Sequence, residues 1–171
     1  MEKRFVYVDN AATTPISKEV LDVMMPWLTE GYGNASSIYS KGREAGWALK
    51  KAHEDVAAVI GAEPNEVYFT SCGSESDNWA IKGAVLATGK KHIITTKIEH
   101  PAVLQPCRRL KALGHEVVEL GGDGFGRLNL DRLREELNGT KKALVSIMWA
   151  NNETGTVFPI EKIAEICKEY G

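Results

Sequence analysis

The sequence lacks the features that mark nucleic-acid-binding, membrane and secreted proteins. Its 171 residues carry 21 Lys and Arg against 23 Asp and Glu, so no basic excess favours a nucleic-acid partner. No apolar run approaches the roughly 20 residues that a membrane-spanning helix needs. The N-terminus, MEKRFVYVDN, has neither the apolar core nor the cleavage site of a signal peptide. We therefore expect a cytoplasmic protein with no membrane and no nucleic-acid partner.

Cysteine is also scarce, with three residues at Cys72, Cys107 and Cys167. Their odd number and wide spacing fit neither a disulfide framework nor a CxxC zinc knuckle, so no metal site is predicted. Cys107 and Cys167 fall among apolar residues with helical periodicity and are interpreted as small core residues. Cys72 lies in a predicted loop that is rich in polar residues.

Apolar periodicity predicts strands and helices that alternate along most of the chain. Strands are predicted at 5–8, 67–70, 92–96, 116–120 and 143–148, and helices at 17–28, 40–60, 75–86, 102–113, 130–137 and 160–169. Alternation at this spacing indicates an α/β fold with a mostly parallel sheet and helices on both faces. Ser17 is a predicted N-cap, Gly61 and Gly114 are predicted helix ends, and Pro26 is expected to kink or shorten its helix.

The predicted fold looks incomplete at its C-terminal end. The chain stops at Gly171, just after a predicted helix, where the alternating pattern calls for another strand. A sheet that ended there would leave an edge and a helix face uncovered. We therefore expect an N-terminal segment, residues 1–15, followed by part of one larger domain, residues 16–171, as a fragment or as a protein completed by another chain. The helix at 40–60 carries a broad apolar stripe formed by Ala45, Ala48, Leu49, Ala52, Val56, Val59 and Ile60.

Ligands of open α/β sheets bind at the carboxyl ends of strands, and the first polar loop at such an end runs from Thr70 to Asn78. Gly73 allows a ligand to approach the backbone closely, and Ser74 supplies a hydroxyl. The free amide hydrogens at the start of the following helix favour an anion such as phosphate. A capped strand-to-helix turn without a ligand has the same residue types, so this loop alone leaves both interpretations open.

Two further polar loops follow predicted strands. The loop at 95–101 ends in His100, before a proline that opens a helix. Its imidazole can stack on a flat ring or shuttle a proton, although a lone histidine is more often a surface or satisfied core residue. The loop at 146–155 contains Asn151, Asn152 and Glu153. A side-chain amide in this loop can orient an oxygen of a ligand. The alternative interpretation is that the asparagines form an Asx-type turn without a ligand.

Five segments, taken together and in order, are far more specific than any single loop. They are DNAATT at 9–14, GNASS at 33–37, FTSCGSESDN at 69–78, EHPAV at 99–103 and SIMWANNETG at 146–155. In these segments the chain resembles the class V aminotransferase family, and within it the cysteine desulfurases. The resemblance implies a pyridoxal-phosphate (PLP) enzyme of fold type I. Residues 16–171 would then form the N-terminal part of its PLP-binding large domain.

The resemblance implies a role for four residues in binding PLP. Gly73 and Ser74 match the pair that holds the PLP phosphate, by a backbone amide and by a hydroxyl. His100 matches the histidine that stacks on the pyridine ring and helps proton transfer, so it is the expected catalytic residue. Asn152 matches the asparagine that contacts the phenolic oxygen of the ring and lies near the substrate carboxylate.

Three positions depart from the family pattern. Ser74 stands where threonine is common and keeps the hydroxyl, Cys72 stands where glycine is frequent, and Tyr39 stands where histidine is usual. Cys72 is not assigned as the sulfur-accepting nucleophile, because the family's cysteine lies on a mobile loop far downstream and nothing in the sequence indicates a lowered thiol pKa. Residues 10–14 and Asn34 match segments near the substrate entrance.

Other functional residues of the family fall beyond Gly171: the aspartate on the pyridine nitrogen, the Schiff-base lysine, the nucleophilic cysteine and the carboxylate-binding arginine. The 171 residues contain no Ser-x-His-Lys motif, so this chain alone is expected to be inactive. The implied complete protein is a homodimer that takes sulfur from L-cysteine, leaves L-alanine, and passes persulfide sulfur to an acceptor or scaffold protein for iron–sulfur clusters or other sulfur transfer. The alternatives are another class V enzyme, such as a selenocysteine lyase or an aminotransferase, and a non-catalytic truncated or assembly module.

Overall fold

A computed structural model of the chain describes residues 4–139 and 142–171. It divides the chain into two compact units, Met1–Phe69 and Thr70–Gly171, which we call the N-terminal and C-terminal units. The expected boundary after residue 15 stays a prediction. Within the described residues, no helix is both long enough and apolar enough to cross a membrane.

The N-terminal unit is helical. Its elements are α1 (Lys18–Thr29), α2 (Ser40–Ile60) and a short 3₁₀ helix (Pro64–Glu66). Ser17 caps α1 as predicted, its Oγ accepting a hydrogen bond from the Val20 N–H at 3.4 Å. Gly61 ends α2 with a left-handed backbone, φ 70°, a conformation that glycine adopts without strain. Pro26 lies inside α1 and does not shorten it, since the helix continues to Thr29.

Apolar side chains of the N-terminal unit are largely exposed. Helix α1 has no buried residue, and in α2 the buried residues are Gly42 and Ala57. None of the seven residues of the α2 apolar stripe is buried, and Val59 and Ile60 are 86% and 64% exposed. Periodicity shows which residues share a helix face, but it does not show whether another surface covers that face.

Two predicted strands do not form within the described residues. Residues 5–8 have no regular secondary structure and are exposed. Residues 67–70 also lie outside the sheet, although Val67 has the extended dihedral angles φ −93° and ψ 128°. Both strand predictions are therefore wrong for this structure. An apolar extended segment becomes a strand only where a neighbouring strand provides partners for its backbone hydrogen bonds.

The C-terminal unit alternates helices and strands around a three-stranded parallel sheet of order β2-β1-β3. Its elements are α3 (Gly73–Thr88), β1 (His92–Thr96), α4 (Pro101–Ala112), β2 (Glu116–Leu120), α5 (Leu130–Asn138), β3 (Ala143–Val145) and α6 (Ile160–Glu169). The predicted α/β class with a parallel sheet is confirmed.

Neighbouring residues of β1 point into two separate cores, because side chains alternate between the faces of a strand. Ile93 packs with residues of α3, α4 and β2, namely Ile81, Val85, Val103, Cys107, Leu110 and Val117. Ile94 packs chiefly with residues of β2, α5 and α6, namely Leu120, Leu133, Leu137, Phe158, Ile163 and Ile166. Helices therefore cover both faces of the sheet, as predicted. Cys107 is fully buried and Cys167 packs against the second core, which confirms their interpretation as core residues.

Strand β3 is shorter than its apolar run suggests, ending at Val145 and not at Met148. The Ser146 N–H still donates to the Ile94 carbonyl oxygen at 2.9 Å, after which the chain leaves the ladder with β1. Residues 146–155 therefore form a loop that starts beside the carboxyl end of β1.

Candidate functional site

Two polar loops meet where β1 and β3 end. Because these strands are parallel neighbours, the segment after β1, residues 97–100, and the segment after β3, residues 146–155, open at the same edge of the sheet. A cavity of about 270 Å³ lies there, and we call it the loop cavity. Its lining residues are Ile98, Glu99, His100, Pro101, Asn151, Asn152, Glu153 and Thr154. Residues about 50 positions apart in sequence are thus brought together by the sheet.

His100 is the N-cap of α4, and the helix that it caps holds its ring in place. Nδ1 accepts a hydrogen bond from the Ala102 N–H at 3.1 Å. Pro101 occupies the first helical position, where a backbone N–H has no partner within the helix, so the lack of an N–H in proline costs no helical hydrogen bond. Since Nδ1 is the acceptor, the neutral ring carries its proton on Nε2. The exposed side chain therefore has one nitrogen committed to the fold and one available for chemistry.

The two asparagines of the loop at 146–155 have different environments. Asn151 is 6% exposed, and its Oδ1 accepts hydrogen bonds from the backbone N–H groups of Glu153 at 2.9 Å and Thr154 at 2.8 Å. Its Nδ2 donates to the Ile98 carbonyl oxygen at 2.8 Å, which ties the loop at 146–155 to the segment at 97–100. The Asx-type turn therefore forms at Asn151. Asn152 is exposed and borders the loop cavity.

Helix α3 begins at Gly73, directly after the polar residues Ser71 and Cys72. Its N-cap is Cys72, which has an extended backbone and makes no side-chain capping hydrogen bond. A Cβ placed on Gly73 would meet no atom within 4 Å, so a ligand can reach the backbone at the first turn. The helix starts two residues earlier than Glu75, the predicted first residue, and this extension brings Gly73 and Ser74 into its first turn. Such a helix start suits an anion.

Side chains around the start of α3 bond to one another. The backbone N–H and the Oγ of Ser71 both donate to Glu75 Oε2 at 2.7 Å, and the hydroxyls of Thr70 and Ser76 lie 2.6 Å apart. These bonds shape the turn without using the first amide hydrogens of the helix. The Glu75 N–H and then the Ser71 hydroxyl lower the pKa of the Cys72 thiol. Burial, in contrast, raises the pKa of the Cys107 thiol to about 11.

The lowered pKa of Cys72 is a feature that the sequence does not reveal. It depends chiefly on the backbone N–H of Glu75, whose position near Cys72 is set only once α3 has formed. That Cys72 is not the sulfur-accepting nucleophile stays a prediction.

The structure brings two of the four predicted cofactor-binding residues to the loop cavity. His100 and Asn152 line it, whereas Gly73 and Ser74 lie at the start of α3 and are not among its lining residues. A larger cavity of about 380 Å³ runs along β3 and α6, but its lining is mostly aliphatic. The loop cavity combines an imidazole, amides and two carboxyl groups, so it is a better candidate for chemistry than the cavity along β3 and α6. In the described ranges no group of three or more His, Cys, Asp or Glu could hold a metal ion.

Glu99 is a residue of this site to which the sequence analysis assigns no role. It is 6% exposed, and its Oε1 accepts hydrogen bonds from the Met148 N–H at 2.7 Å and from Thr96 Oγ1 at 3.2 Å. Burial raises the pKa of its carboxyl group, and the negative charge of Asp77 in α3 raises it further. Because a glutamate in a loop is usually solvated, the burial of Glu99 is not predictable from its residue type.

Comparisons with known proteins identify the family of these segments. A model described as aminotransferase class-V matches residues 6–171. A cysteine desulfurase of Trichormus azollae is 52% identical over 167 residues, which are 97% of this chain and 42% of that protein. A solved NifS-like protein is 42% identical with a TM-score of 0.89 over 97% of this chain and 46% of its own. A structure of SspA in complex with cysteine is 38% identical with a TM-score of 0.88 over 95% of this chain and 47% of its own.

The similarity covers almost all of this chain but less than half of each of these proteins. The chain spans about two fifths of the length of the curated relatives that it matches, 42% for the desulfurase above. The resemblance drawn from the five segments is thereby confirmed, as is its restriction to an N-terminal portion. The chain belongs to the aminotransferase class-V family.

Proposed function

We propose that the complete protein containing this chain is a PLP-dependent cysteine desulfurase, which converts L-cysteine into L-alanine and keeps the sulfur as an enzyme-bound persulfide. The observation that carries the proposal is that His100 and Asn152 line the same cavity. Two relatives support it, since one is named cysteine desulfurase and another is described in complex with cysteine. The 171 residues include no Ser-x-His-Lys motif, so we expect the chain by itself to be inactive.

The start of α3 fits the phosphate of PLP. Its N-cap residue, Cys72, makes no side-chain capping hydrogen bond, and the space beside Gly73 is open. The partial positive charge of a helix N-terminus favours an anion, and the hydroxyl of Ser74 adds a neutral donor at the second helical position. Gly73 and Ser74 would therefore hold the phosphate by a backbone N–H and by the side chain.

His100 fits a position beside the flat ring of the cofactor. Its own hydrogen bond to the Ala102 N–H fixes the orientation of the imidazole, so stacking requires no further ordering of this side chain. Nε2 is the ring atom left to donate or accept a proton at the substrate. We therefore assign His100 both a cofactor-binding and a catalytic role.

Asn152 supplies a neutral amide to the lining of the loop cavity. An amide N–H can donate to the phenolic oxygen of PLP and remains uncharged at any physiological pH. The turn anchored by Asn151 determines where this amide stands, because Asn151 bonds both to its own loop and to Ile98. Asn152 would thus orient the ring, and Asn151 would orient Asn152.

When bound, PLP supplies an electron sink for the substrate carbon, which is chemistry that side chains cannot provide. The residues of this chain would hold the phosphate, position the ring and move a proton at His100 Nε2. By family resemblance, the catalytic lysine, the aspartate on the ring nitrogen and the thiol that takes the substrate sulfur come from residues outside the 171. The same resemblance supports a cytoplasmic homodimer that passes its sulfur to an acceptor or scaffold protein.

The proposal is tested in the complete protein with PLP bound, by measuring alanine formed from L-cysteine. We expect His100→Ala to lower kcat by roughly 10²- to 10⁴-fold, the usual range for a lost acid–base group. His115→Ala is the matched control, since His115 precedes β2 at the opposite end of the strands. Absence of alanine in the wild type, or equal rates for the two variants, would contradict the proposal.

Substrate choice separates the desulfurase from its relatives within the family. We expect alanine and protein-bound sulfur from L-cysteine, with the sulfur released as sulfide by a thiol reductant. Alanine formed from selenocysteine but not from cysteine would indicate a selenocysteine lyase. Transfer of the amino group to a keto acid without release of sulfur would indicate an aminotransferase.

A further inference from the structure

We propose that Glu99 is a positioning residue, whose buried carboxylate holds the segment carrying His100 against the segment carrying Asn152. The inference rests on the proposed function, because it assigns Glu99 a part in the same site. Glu99 precedes His100 directly in the chain, and its bonding partner Met148 precedes Asn152 by four residues.

The contacts of Glu99 join the two loops at one atom. Oε1 accepts a hydrogen bond from the Met148 N–H, in the loop at 146–155, at 2.7 Å. It accepts another from the Thr96 hydroxyl, at the end of β1, at 3.2 Å. The carboxyl group and Thr96 are both buried, at 6% and 1% exposure, so water does not compete freely for these donors. A short bond to a charged acceptor in a dry setting is stronger than a neutral one at the surface.

A second hydrogen bond between the loops runs alongside the first. Asn151 Nδ2 donates to the Ile98 carbonyl oxygen at 2.8 Å, one residue before Glu99. Ile98, Glu99 and Asn151, which take part in these two bonds, line the cavity that His100 and Asn152 share. Together they fix the separation of the two loops, and only Glu99 does so through an ionisable group.

A carboxylate is an unfavourable choice if stability alone is at stake. Burial and the nearby charge of Asp77 both disfavour the ionised form of Glu99. A neutral residue of similar size would fill the space at lower cost in free energy. The carboxylate offers a strong acceptor that meets an N–H and a hydroxyl together, which serves geometry better than it serves stability.

Three variants of the complete PLP-bound protein test this inference. Glu99→Ala removes the acceptor, Glu99→Gln keeps an oxygen acceptor, and Thr96→Val removes one of the two donors. We expect Glu99→Ala to lower kcat by roughly 10- to 100-fold with little change in KM, since small misplacements of catalytic groups have effects of this size. We expect Glu99→Gln to recover most of the rate and Thr96→Val to lie between wild type and Glu99→Ala.

Hydrogen exchange provides a readout that does not depend on turnover. We expect peptides covering residues 146–155 to exchange faster in Glu99→Ala than in wild type, and peptides covering β2 to be unchanged. Val85→Ala is the stability control, because Val85 is buried in the first core within α3 and lines no part of the loop cavity. It should lower the melting temperature without lowering kcat.

The outcomes separate the inference from the function on which it rests. If the wild type forms no alanine from cysteine, the proposed function fails, and the exchange data still decide whether Glu99 ties the loops. If the wild type is active but Glu99→Ala matches Val85→Ala in kcat, or exchanges like wild type over 146–155, Glu99 is not a positioning residue. If Glu99→Ala does not fold, the test uses Thr96→Val and Glu99→Gln in its place. The inference is then overturned if Thr96→Val has the same kcat and the same hydrogen exchange over residues 146–155 as the wild type.

Discussion

The two units of the chain carry apolar residues in similar helical patterns but bury them to very different extents. In the helices of the C-terminal unit, Cys107 of α4 and Leu133 of α5 are completely buried. In the N-terminal unit, α1 buries no residue, and Val59 near the end of α2 is 86% exposed. The difference teaches that periodicity predicts a helix and its apolar face, while burial needs an opposing surface that periodicity does not reveal.

The same difference explains why the candidate site belongs to the C-terminal unit. Its loops leave strands that are packed on both faces, so the starting points of the loops are fixed by two cores. Polar groups at the ends of such strands can be held to the accuracy that chemistry needs. A comparable arrangement is not present among the described residues of the N-terminal unit, which contain helices but no strand.

The largest contrast between the units is expected from one matched pair of leucine truncations in the complete protein. Leu133→Ala removes a fully buried side chain and should lower the free energy of unfolding by about 2–5 kcal/mol. Leu28→Ala in α1 removes a side chain that is 67% exposed and should change it by less than about 0.5 kcal/mol. Urea denaturation followed by circular dichroism measures both, and similar losses would show that Leu28 is covered in solution.

A smaller contrast is expected from the two helix caps. Asn129 caps α5 by accepting hydrogen bonds from the Asp131 N–H at 2.9 Å and the Arg132 N–H at 3.2 Å, whereas Ser17 accepts one at 3.4 Å. Asn129→Ala should cost about 1 kcal/mol, because α5 packs on the second core. Ser17→Ala should lower the free energy of unfolding by only about 0.3 kcal/mol in the same denaturation measurement. An equal loss in both variants would contradict the contrast between the units.

The smallest effect concerns the pH dependence of stability at Glu99. Burial raises the pKa of this carboxyl group above its ordinary 4.5, so the folded state binds a proton at pH values where the unfolded state has released it. The contribution of Glu99 to the free energy of unfolding should therefore fall as pH rises from about 4.5 through the raised pKa, then level off.

Glu99→Gln has no such titration and serves as the reference for this prediction. The free energy of unfolding of the variant, minus that of the wild type, should increase over the same pH window. A difference that stays constant with pH, or that decreases, would mean that Glu99 is not buried in the way the structure describes.

Much of the secondary structure could be predicted because it depends on local pattern. Helix α2 and the strands β1 and β2 have the predicted bounds, since each is a periodic run closed by a turn residue or a polar break. Local pattern did not predict the structure of residues 5–8 and 67–70 correctly. Their conversion to strands depends on a hydrogen-bonding neighbour, which is a property of the sheet and not of the segment.

The candidate site was predictable only in part. The positions of His100 and Asn152 after neighbouring strands follow from α/β topology, and in the structure both line the loop cavity. The roles assigned to Gly73, Ser74, His100 and Asn152 stay predictions. The burial of Glu99 and the lowered pKa of Cys72 could not be predicted, because both depend on backbone N–H groups that are distant in sequence or arranged only by folding.

We propose that the start of α3, His100 and Asn152 serve one PLP molecule. A crystal structure of the complete protein with PLP bound would show whether they do. We expect the phosphate at roughly 3 Å from the Gly73 N–H and the Ser74 hydroxyl, with the ring against His100 and its phenolic oxygen next to the Asn152 amide. PLP bound with its phosphate away from α3, or with its ring outside the loop cavity, would show that these residues do not form one site.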